Sequence, residues 1–474
     1  MNDLTLLPAV ALAEHIREKK ISPVEIAEAH LAKIERLNPT LNAFVHVDAA
    51  SVRREARAAE AAVTSIKAGS DLGPLHGVPI SIKSSLQVAG LRCESGTRLR
   101  AGFIPKQDAP LVARLKNAGA IVLGVTNTPE LLMAWETDNL LYGRSNSPWD
   151  LERTPGGSSG GEAAAIAAGM SAGGVGSDGG GSIRVPAHFS GICGLKPTPG
   201  RIPATGHYPA SAGPFALIGV VGPMARTVAD VKTLFEVMQG PDEGDTCSAP
   251  VPLGWPSDDE ARKLRVGYFE DDGRTPVTPE TRAAVRTAAE ALQRAGFQVE
   301  PFRPEGLDQA RDLWRKFFVK AGGMLIKPMF HGREHDLSPT LKQFLEWSVA
   351  EPPLTAGTLL DAWVERDTLR ARFLSQMREY AILVCPAAAI PAFRHGERSW
   401  QIEGKTVNYL DAWSDTEWFN LLGNPAAVVP VGWSLEGLPI GVQIVGRPWE
   451  EEQVLAVAAA LEQACAAWKA PPIR

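Results

Sequence analysis

The chain has 474 residues, of which 45% are hydrophobic and 22% charged, and its formal net charge is -6. This composition is that of an ordinary globular protein, and the length allows either several domains or one large layered unit. A chain with a net negative charge lacks the positive electrostatic potential that attracts a polyanion. The charge therefore argues against nucleic acid and acidic membranes as partners and favours a small neutral molecule.

Cysteine usage and the N-terminal segment indicate the compartment. Five cysteines are scattered along the chain without a Cys-x-x-Cys pair: Cys93, Cys193, Cys247, Cys385 and Cys465. This odd, dispersed set excludes a disulfide framework and argues against structural zinc, so we expect free thiols and no bound metal. The first twenty residues lack a basic leader, and no apolar run reaches the roughly 18 residues that a membrane helix needs. The sequence predicts a cytoplasmic protein without a membrane span.

The first predicted elements alternate between helices and strands. Ser22-Pro23-Val24-Glu25 forms a capping box with proline at the first helical position, and apolar residues then recur at helical spacing. A second helix is predicted from Ala49 to Ala68. Apolar runs at Val78–Lys83 and Ala120–Val125 predict strands, with a helix over 109–119 between them. This alternation is typical of a layered α/β sheet.

The alternation resumes in the second half of the chain. Residues 264–271 and 297–302 read as strands on either side of a helix at 280–296, and late strands at 380–386, 426–432 and 439–446 precede a closing helix at 450–468. Between about Glu305 and Glu379 the pattern is mostly helical and rich in aromatic residues. No repeat, linker or charge block divides the chain. We expect one α/β domain over residues 1–474 with a helical insertion at about 305–380.

The most unusual segment is 156–182, in which eleven of twenty-seven residues are glycine. Ordering so many glycines costs backbone entropy, so a folded protein retains them for close backbone approach or unusual dihedral angles. We expect a catalytic loop. Gly174-x-Gly176-x-x-Gly179 has the form of a dinucleotide-binding fingerprint, but Pro186 interrupts the helix that should follow, and no acidic residue lies between Asp178 and Asp230 to bind the ribose.

Two serine chemistries fit the segment. Gly156-x-Ser158-x-Gly160 matches a nucleophile elbow, but the preceding residues 151–155 are charged and end in proline, which makes a poor buried strand. The elbow also needs a histidine, whereas every downstream candidate lies in a polar or turn-like context where solvation is expected: His207, His331, His335 and His395.

The alternative uses a lysine as the base. Serine at its ordinary pKa needs a neighbouring base, and a lysine serves if burial lowers its pKa to roughly 7–8. Lys83 follows Val78, Ile80 and Ile82 on alternating positions, at the end of a predicted strand. An exposed lysine at the end of a strand is the other interpretation of the same pattern.

Three motifs together resemble a known family. Gly-Gly-Ser-Ser-Gly-Gly (156–161), Gly-Ser-Asp-Gly-Gly-Gly-Ser-Ile-Arg-x-Pro (176–186) and Gly-Ile-Cys-Gly-Leu-Lys-Pro-Thr (191–198) match the amidase signature nearly throughout. The similarity extends upstream to 76–83 and downstream to 439–446. Residues 124–150 look more like the fatty-acid amide hydrolase branch than the amidotransferase component that acts on charged tRNA.

The resemblance implies a fold and a catalytic triad. The fold would be a single α/β/α domain with a mixed central sheet covered by helices on both faces. By similarity, Ser182 is the acyl-forming nucleophile, Lys83 is the base, and Ser158, held by a cis peptide, relays protons between them. Backbone N–H groups of Gly179, Gly180 and Gly181 would form the oxyanion hole. Family members usually carry a larger residue at the position of Gly179.

The surroundings of the triad are assigned in the same way. Ser159, Asp178 and Arg184 are expected to hold the two loops without taking part as acid or base. Leu132, Met133 and Trp135 are expected to line or border the acyl pocket, with ordinary core packing as the other interpretation. Aromatic residues of the insertion, Trp314, Phe317 and Phe318, would form the opposite wall.

These expectations define the function. The resemblance implies an amidase that hydrolyses an acyl or aryl amide to the acid plus ammonia or an amine, through an acyl-enzyme and without a cofactor. The expected partner is a small-molecule amide, and a homodimer remains open. The alternative is the glutamine-hydrolysing subunit of an amidotransferase complex.

Overall fold

A computed structural model describes residues 3–65, 72–349, 353–465 and 468–473. Its strands, in chain order, are β1 (Phe44–Val47), β2 (Pro79–Lys83), β3 (Ile121–Thr126), β4 (Gly173–Asp178), β5 (Cys193–Lys196), β6 (Val220–Ala225), β7 (Arg265–Tyr268), β8 (Gln298–Pro301), β9 (Ile382–Pro386), β10 (Ser399–Ile402), β11 (Lys405–Asn408), β12 (Ala426–Trp433) and β13 (Pro439–Val445). Strands β10 and β11 form a separate antiparallel hairpin.

The other eleven strands form one mixed sheet. Their order is β1-β3-β2-β4-β6-β5-β12-β13-β9-β7-β8. Parallel pairs join β3, β2 and β4 on one side and β9, β7 and β8 on the other. The strands between them pair antiparallel. The carboxyl ends of β2 and β4 therefore meet at one edge of the sheet, and this edge carries the site described below.

Helices cover both faces of this sheet. In chain order they are α1 (Ala9–Arg17), α2 (Pro23–Leu41), α3 (Ala49–Ser65), α4 (Pro110–Asn117), α5 (Gly160–Ala167), α6 (Arg184–Ser190), α7 (Val228–Met238), α8 (Asp258–Arg262), α9 (Pro279–Arg294), α10 (Leu307–Trp314), α11 (Ala321–Ile326), α12 (Pro339–Val349), α13 (Ala356–Gln376), α14 (Ser414–Leu421) and α15 (Glu451–Ala464). A π-helical turn, Arg315–Lys320, joins α10 to α11. In the described part of the chain, none of these helices has the length and apolar character of a membrane span.

Alternation along β3 shows why the sheet is buried on both sides. Ile121 and Leu123 pack with α2 and α3, whereas Val122 belongs to the cluster formed with α4, α7, α9 and α15. Successive side chains of a strand point to opposite faces, so each strand contributes to two cores. The protein is one α/β domain in which helices flank a mixed sheet on both faces, as the resemblance implied.

The capping box at Ser22 is present, and α2 begins at Pro23. Helix α3 ends at Ser65, and residues 66–68 of the predicted helix lie outside the described residues. The region from 305 to 380 is helical where it is described, in α10 to α13 and the turn between α10 and α11. Residues 350–352 of that region also lie outside the described residues.

The glycines near 173 lie in a strand and not in a loop. Strand β4 has the sequence GGVGSD, and α5 packs directly against it. A Cβ on Gly174 would collide with the Glu162 carboxylate of α5 and with the Ser81 carbonyl of β2. On Gly176 it would approach Ser159 Oγ to 2.9 Å. These glycines thus let helix and strand approach closely, and they exclude the dinucleotide fingerprint, whose glycines follow a strand.

Candidate active site

Lys83, the last residue of β2, lies fully buried at the edge of the sheet. Its Nζ is 2.6 Å from Ser158 Oγ and 2.9 Å from the hydroxyl oxygens of both Ser159 and Ser177. Alternation along β2 predicts its position on the strand, whereas Ser177, on the adjacent β4, was not anticipated. The lysine is therefore surrounded by hydroxyl groups and is not exposed at the end of its strand.

The charge state of Lys83 follows from this environment. Burial lowers the pKa of Lys83 well below its ordinary value of 10.5, and the negative charges of Asp178 and Glu162 oppose that shift. Burial raises the pKa of Glu162 to about 7, although hydrogen bonds from Ser81 and Thr126 act to lower it. Lys83 thus favours the neutral amine far more than an exposed lysine does.

Ser158 and Ser182 belong to the two glycine-rich loops. Ser158 follows a cis peptide bond from Gly157 and precedes α5. Ser182 lies between β4 and α6, retains 9% of its surface exposed, and lines the same cavity as Ser158. The Ser159 N–H joins the loops by donating to the Ser182 carbonyl at 3.2 Å. The hydroxyl groups of Ser158 and Ser182 make no hydrogen bond to each other in this structure.

Asp178 and Arg184 form a buried ion pair beneath Ser182. The guanidinium donates to both carboxylate oxygens at 2.9 and 3.1 Å, and both side chains are fully buried. It also donates to Asn420 and, at 3.0 Å, to Gln443. Although burial alone would raise the pKa of Asp178, the charge and hydrogen bonds of Arg184 hold it well below its usual range. The carboxylate remains ionised and serves as a fixed acceptor for the loop.

Breaking this pair should destabilise the protein. In Arg184→Met the Asp178 carboxylate stays buried without its counter-charge, so we expect a loss of about 3–5 kcal/mol in the free energy of unfolding, measured by denaturant titration. The matched control is Arg262→Met, which removes an exposed guanidinium paired with Asp259 and should cost less than about 1 kcal/mol. Equal losses in the two variants would contradict a structural role for the buried pair.

The loop from Gly179 to Gly181 is held at its carbonyl groups. The Gly179 carbonyl accepts from the Trp314 indole N–H at 2.8 Å, and the Gly180 carbonyl accepts from the Trp135 indole N–H at 2.7 Å. Thr416 Oγ1 also lies 3.1 Å from the Gly180 carbonyl, but its single proton has a nearer acceptor in the Trp413 carbonyl at 2.8 Å. Gly181 has a φ of 108° and no room for a Cβ beside Thr416, so only glycine fits there.

The N–H groups of this loop differ from the expected oxyanion hole at Gly181. The Gly181 N–H donates to Asp178 Oδ1 at 2.7 Å, so it points at the carboxylate and not into the cavity. Among the described residues, the N–H groups of Gly179, Gly180 and Ser182 have no hydrogen-bond partner. The candidate donors are therefore these three.

A cavity of about 310 Å³ opens beside Ser182 and Ser158. Its lining is mostly apolar and includes Leu132, Met133 and Phe318, and no Arg or Lys lies among the described residues that line it. Trp135 differs from its expected position, because it stacks on Trp413 behind the glycine loop and does not line the cavity.

The expected aromatic wall is only partly present. Phe317 packs on Trp363 in the core, and Trp314 contacts the glycine loop from behind. Phe318 lines the cavity, and a Cβ on Gly179 would lie 2.7 Å from its ring. The ring of Phe318 therefore occupies the space beside Gly179 that a larger residue at that position would need.

His207, one of the four histidines considered as a base and expected to be solvated, lines the cavity instead. Its Nδ1 lies 2.8 Å from the Pro209 carbonyl, and its Nε2 is buried without a partner among the described residues. Burial and the nearby charge of Lys83 lower the pKa of His207 to about 4, although the hydrogen bond to Pro209 acts to raise it. Its sequence context, GHYP, is typical of a turn and does not predict that His207 pairs with Leu86, shortly after the end of β2.

Known proteins are similar in sequence to this chain over nearly its whole length. The amidase family model matches residues 25–455. An acylamidase from Rhodococcus erythropolis is 36% identical over 97% of this chain and 96% of its own length. An indoleacetamide hydrolase from Bradyrhizobium diazoefficiens is 36% identical over 96% and 86%. One component of the glutamyl-tRNA(Gln) amidotransferase from a Synechococcus species is 34% identical over 96% and 91%.

Solved structures of amide hydrolases also resemble this chain in fold. A 6-aminohexanoate cyclic dimer hydrolase superposes with a TM-score of 0.85 at 30% identity and covers 99% of both chains. A fatty acid amide hydrolase has a TM-score of 0.86 at 26% identity over 98% of this chain and 86% of its own. The fold and these relatives define a class of amide hydrolases. The chain belongs to the amidase signature family. It hydrolyses carbon–nitrogen bonds of amides other than peptide bonds.

Proposed function

We propose that the protein hydrolyses amides of apolar carboxylic acids through an acyl-enzyme on Ser182, with Lys83 as the base and Ser158 as the proton relay. The observation that carries this proposal is the short contact between the buried Lys83 Nζ and Ser158 Oγ, 2.6 Å, beside a cavity that both serines line. A nucleophilic hydroxyl needs an adjacent base. Histidine does not supply one here, since His207 contacts neither serine hydroxyl.

The hydroxyl environment of Lys83 supports a neutral amine as the base. A neutral amine has two N–H donors and one lone pair, and Nζ has three hydroxyl neighbours, Ser158, Ser159 and Ser177. Ser159 and Ser177 accept the two N–H groups, which leaves the lone pair for the Ser158 hydroxyl. Lys83 then takes a proton from Ser158 while Ser158 takes one from Ser182.

The remaining steps reverse this transfer. Ser182 Oγ attacks the amide carbonyl, and the tetrahedral oxyanion accepts hydrogen bonds from the N–H groups of Gly179, Gly180 and Ser182. The C–N bond breaks as Ser158 passes its proton to the leaving nitrogen and recovers one from Lys83. Water then attacks the acyl-enzyme by the same route and releases the acid. Asp178, Arg184 and Ser159 hold the loops in place throughout.

The cavity supports an apolar acyl or aryl group. Leu132, Met133 and Phe318 line it, and Leu325 and Ile326 extend it toward the helical region at 305–380, which we propose borders the substrate pocket. The acylamidase and the indoleacetamide hydrolase among the relatives bear names of the same substrate class. We propose that the enzyme acts in the cytoplasm, as a homodimer, on small-molecule amides.

The second candidate function is glutamine hydrolysis for an amidotransferase partner, which the amidotransferase relatives favour. Glutamine carries an α-carboxylate, which needs a cationic partner in an apolar site. The described residues that line the cavity include neither Arg nor Lys, and the net charge of -6 is unsuited to tRNA. These observations give more support to the independent amidase.

A series of amides tests this substrate class. With primary amides of straight-chain acids of increasing length, kcat/KM should rise by up to about fourfold per added CH₂ until the cavity is filled, because each buried CH₂ contributes about 0.8 kcal/mol. Phenylacetamide and L-glutamine serve as aryl and charged comparisons, and ammonia release by the purified chain is the readout. Faster turnover of glutamine than of any apolar amide would reject the proposal in favour of the amidotransferase function.

A further inference from the structure

Trp314 contacts the loop from Gly179 to Ser182, which we call the nucleophile loop, from a distant part of the chain. It ends α10, is fully buried, and donates its indole N–H to the Gly179 carbonyl at 2.8 Å. A Cβ on Gly180 would lie 2.5 Å from its ring. The two glycines therefore lie directly on the indole, which contacts the loop through both a hydrogen bond and a packed surface.

The direction of one N–H group follows from this hydrogen bond. In a planar trans peptide the carbonyl of one residue and the N–H of the next point in opposite directions. The indole that fixes the Gly179 carbonyl thereby fixes the Gly180 N–H, which has no partner among the described residues. The next peptide is fixed at both ends, because the Gly180 carbonyl accepts from Trp135 and the Gly181 N–H donates to Asp178.

The two peptides differ in how many groups hold them. The peptide between Gly180 and Gly181 is held by Trp135 at its carbonyl and by Asp178 at its N–H, whereas the peptide between Gly179 and Gly180 is held by Trp314 alone among the described residues. The peptide with the free N–H is thus the one with a single anchor. Loss of that anchor would release the Gly180 N–H, whereas loss of the Trp135 N–H would leave the Gly181 N–H bonded to Asp178.

We propose that Trp314 is a positioning residue for the oxyanion hole, whose indole N–H orients the Gly180 N–H toward the substrate oxygen. This inference rests on the proposed function, in which that N–H binds the oxyanion. Because the interaction matters most when charge develops on the oxygen, it should act on turnover and not on substrate affinity. A packing role alone would be retained by any ring of similar size.

The test compares two substitutions that remove the N–H. Trp314→Phe keeps an aromatic ring, and replacement of Trp314 by 3-benzothienylalanine keeps the bicyclic shape with sulfur in place of N–H. Deleting an oxyanion donor lowers kcat by about 10²–10³, and we expect a misoriented donor to lower it about 10- to 100-fold in both variants. KM should stay within about twofold, and the Ki of a trifluoromethyl ketone analogue of the substrate should rise as kcat falls.

Trp135→Phe is the matched control, and it should lower kcat less than about threefold because the hydrogen bond from the Gly181 N–H to Asp178 still holds the same peptide. The proposal is overturned if the benzothienyl variant retains full kcat, if KM rises as much as kcat falls, or if Trp135→Phe is as damaging as Trp314→Phe. Labelling of Ser182 by a fluorophosphonate in the wild type separates the two proposals. A wild type that is not labelled at Ser182 contradicts the proposed function itself.

Discussion

Replacing Ser182 with alanine is expected to lower kcat/KM for amides by a factor on the order of 10⁴ to 10⁶ and to abolish labelling by a fluorophosphonate. In the proposed mechanism Ser182 alone supplies the oxygen that forms the acyl bond, while the rest of the site only moves protons and stabilises charge. Steady-state ammonia release measures the first effect, and intact-protein mass spectrometry measures the second. The variant should fold normally, because the hydroxyl oxygen of Ser182 makes no hydrogen bond to the described residues.

Ser158→Ala is the matched control for that experiment. It removes a hydroxyl from the other glycine-rich loop and interrupts the relay to Lys83, which we expect to slow turnover by about 10²–10⁴. Ser182 should still be labelled, although more slowly, since its oxygen remains in the cavity. If the label instead mapped to Ser158 in the wild type, Ser158 would be the nucleophile and the elbow interpretation would replace the triad.

Lys83→Met is expected to lower kcat/KM by about 10²–10⁴ without unfolding the protein. Methionine is unbranched and apolar, so it fills the buried space that the Lys83 side chain occupies at the end of β2 without leaving a charge there. The three serine hydroxyls around Nζ would then lose their shared partner. Ammonia release measures the loss, and the thermal unfolding midpoint serves as the control. Retention of most of the activity would contradict a lysine base.

The pH dependence has a defined sign. Only neutral Lys83 can accept a proton, so wild-type kcat/KM should fall as the pH decreases through its lowered pKa and stay constant above it. The Glu162 carboxylate acts to raise the pKa of Lys83, so Glu162→Gln should move this acid limb to lower pH. A pH profile of kcat/KM measures both. Constant activity from pH 8 to pH 5 in the wild type would contradict the assignment.

Much of the sheet could be predicted because its strands carry regular patterns. The apolar runs at 78–83 and 120–125 became β2 and β3, and the late runs became β9, β12 and β13 within one or two residues. Strand β4 escaped prediction because GGVGSD has no apolar alternation and only one β-branched residue, Val175. Its strand conformation is imposed by α5 and the neighbouring strands and not by its own side chains.

The candidate site also has parts that could be predicted from the sequence and parts that could not. The motifs predicted that Lys83, Ser158 and Ser182 lie together, and in the structure the two serines line one cavity while the buried Lys83 contacts Ser158. The direction of the Gly181 N–H could not be derived, because it depends on where the Asp178 carboxylate ends after pairing with Arg184. The contacts of Trp314, Thr416, Asn420 and Gln443 with this loop join residues more than a hundred positions apart, and no local pattern encodes such distances.

The long-range partners of Arg184 bear on how the enzyme is made. Asn420 and Gln443 complete the hydrogen bonds that Arg184 makes beneath Ser182, and they lie 236 and 259 residues after Arg184. During translation the ribosome releases residues 178–184 long before these two. A nascent chain therefore holds the loop that carries Ser182 without these two supports until residue 443 has been synthesised, and fragments that stop short of residue 443 lack the Gln443 contact of Arg184.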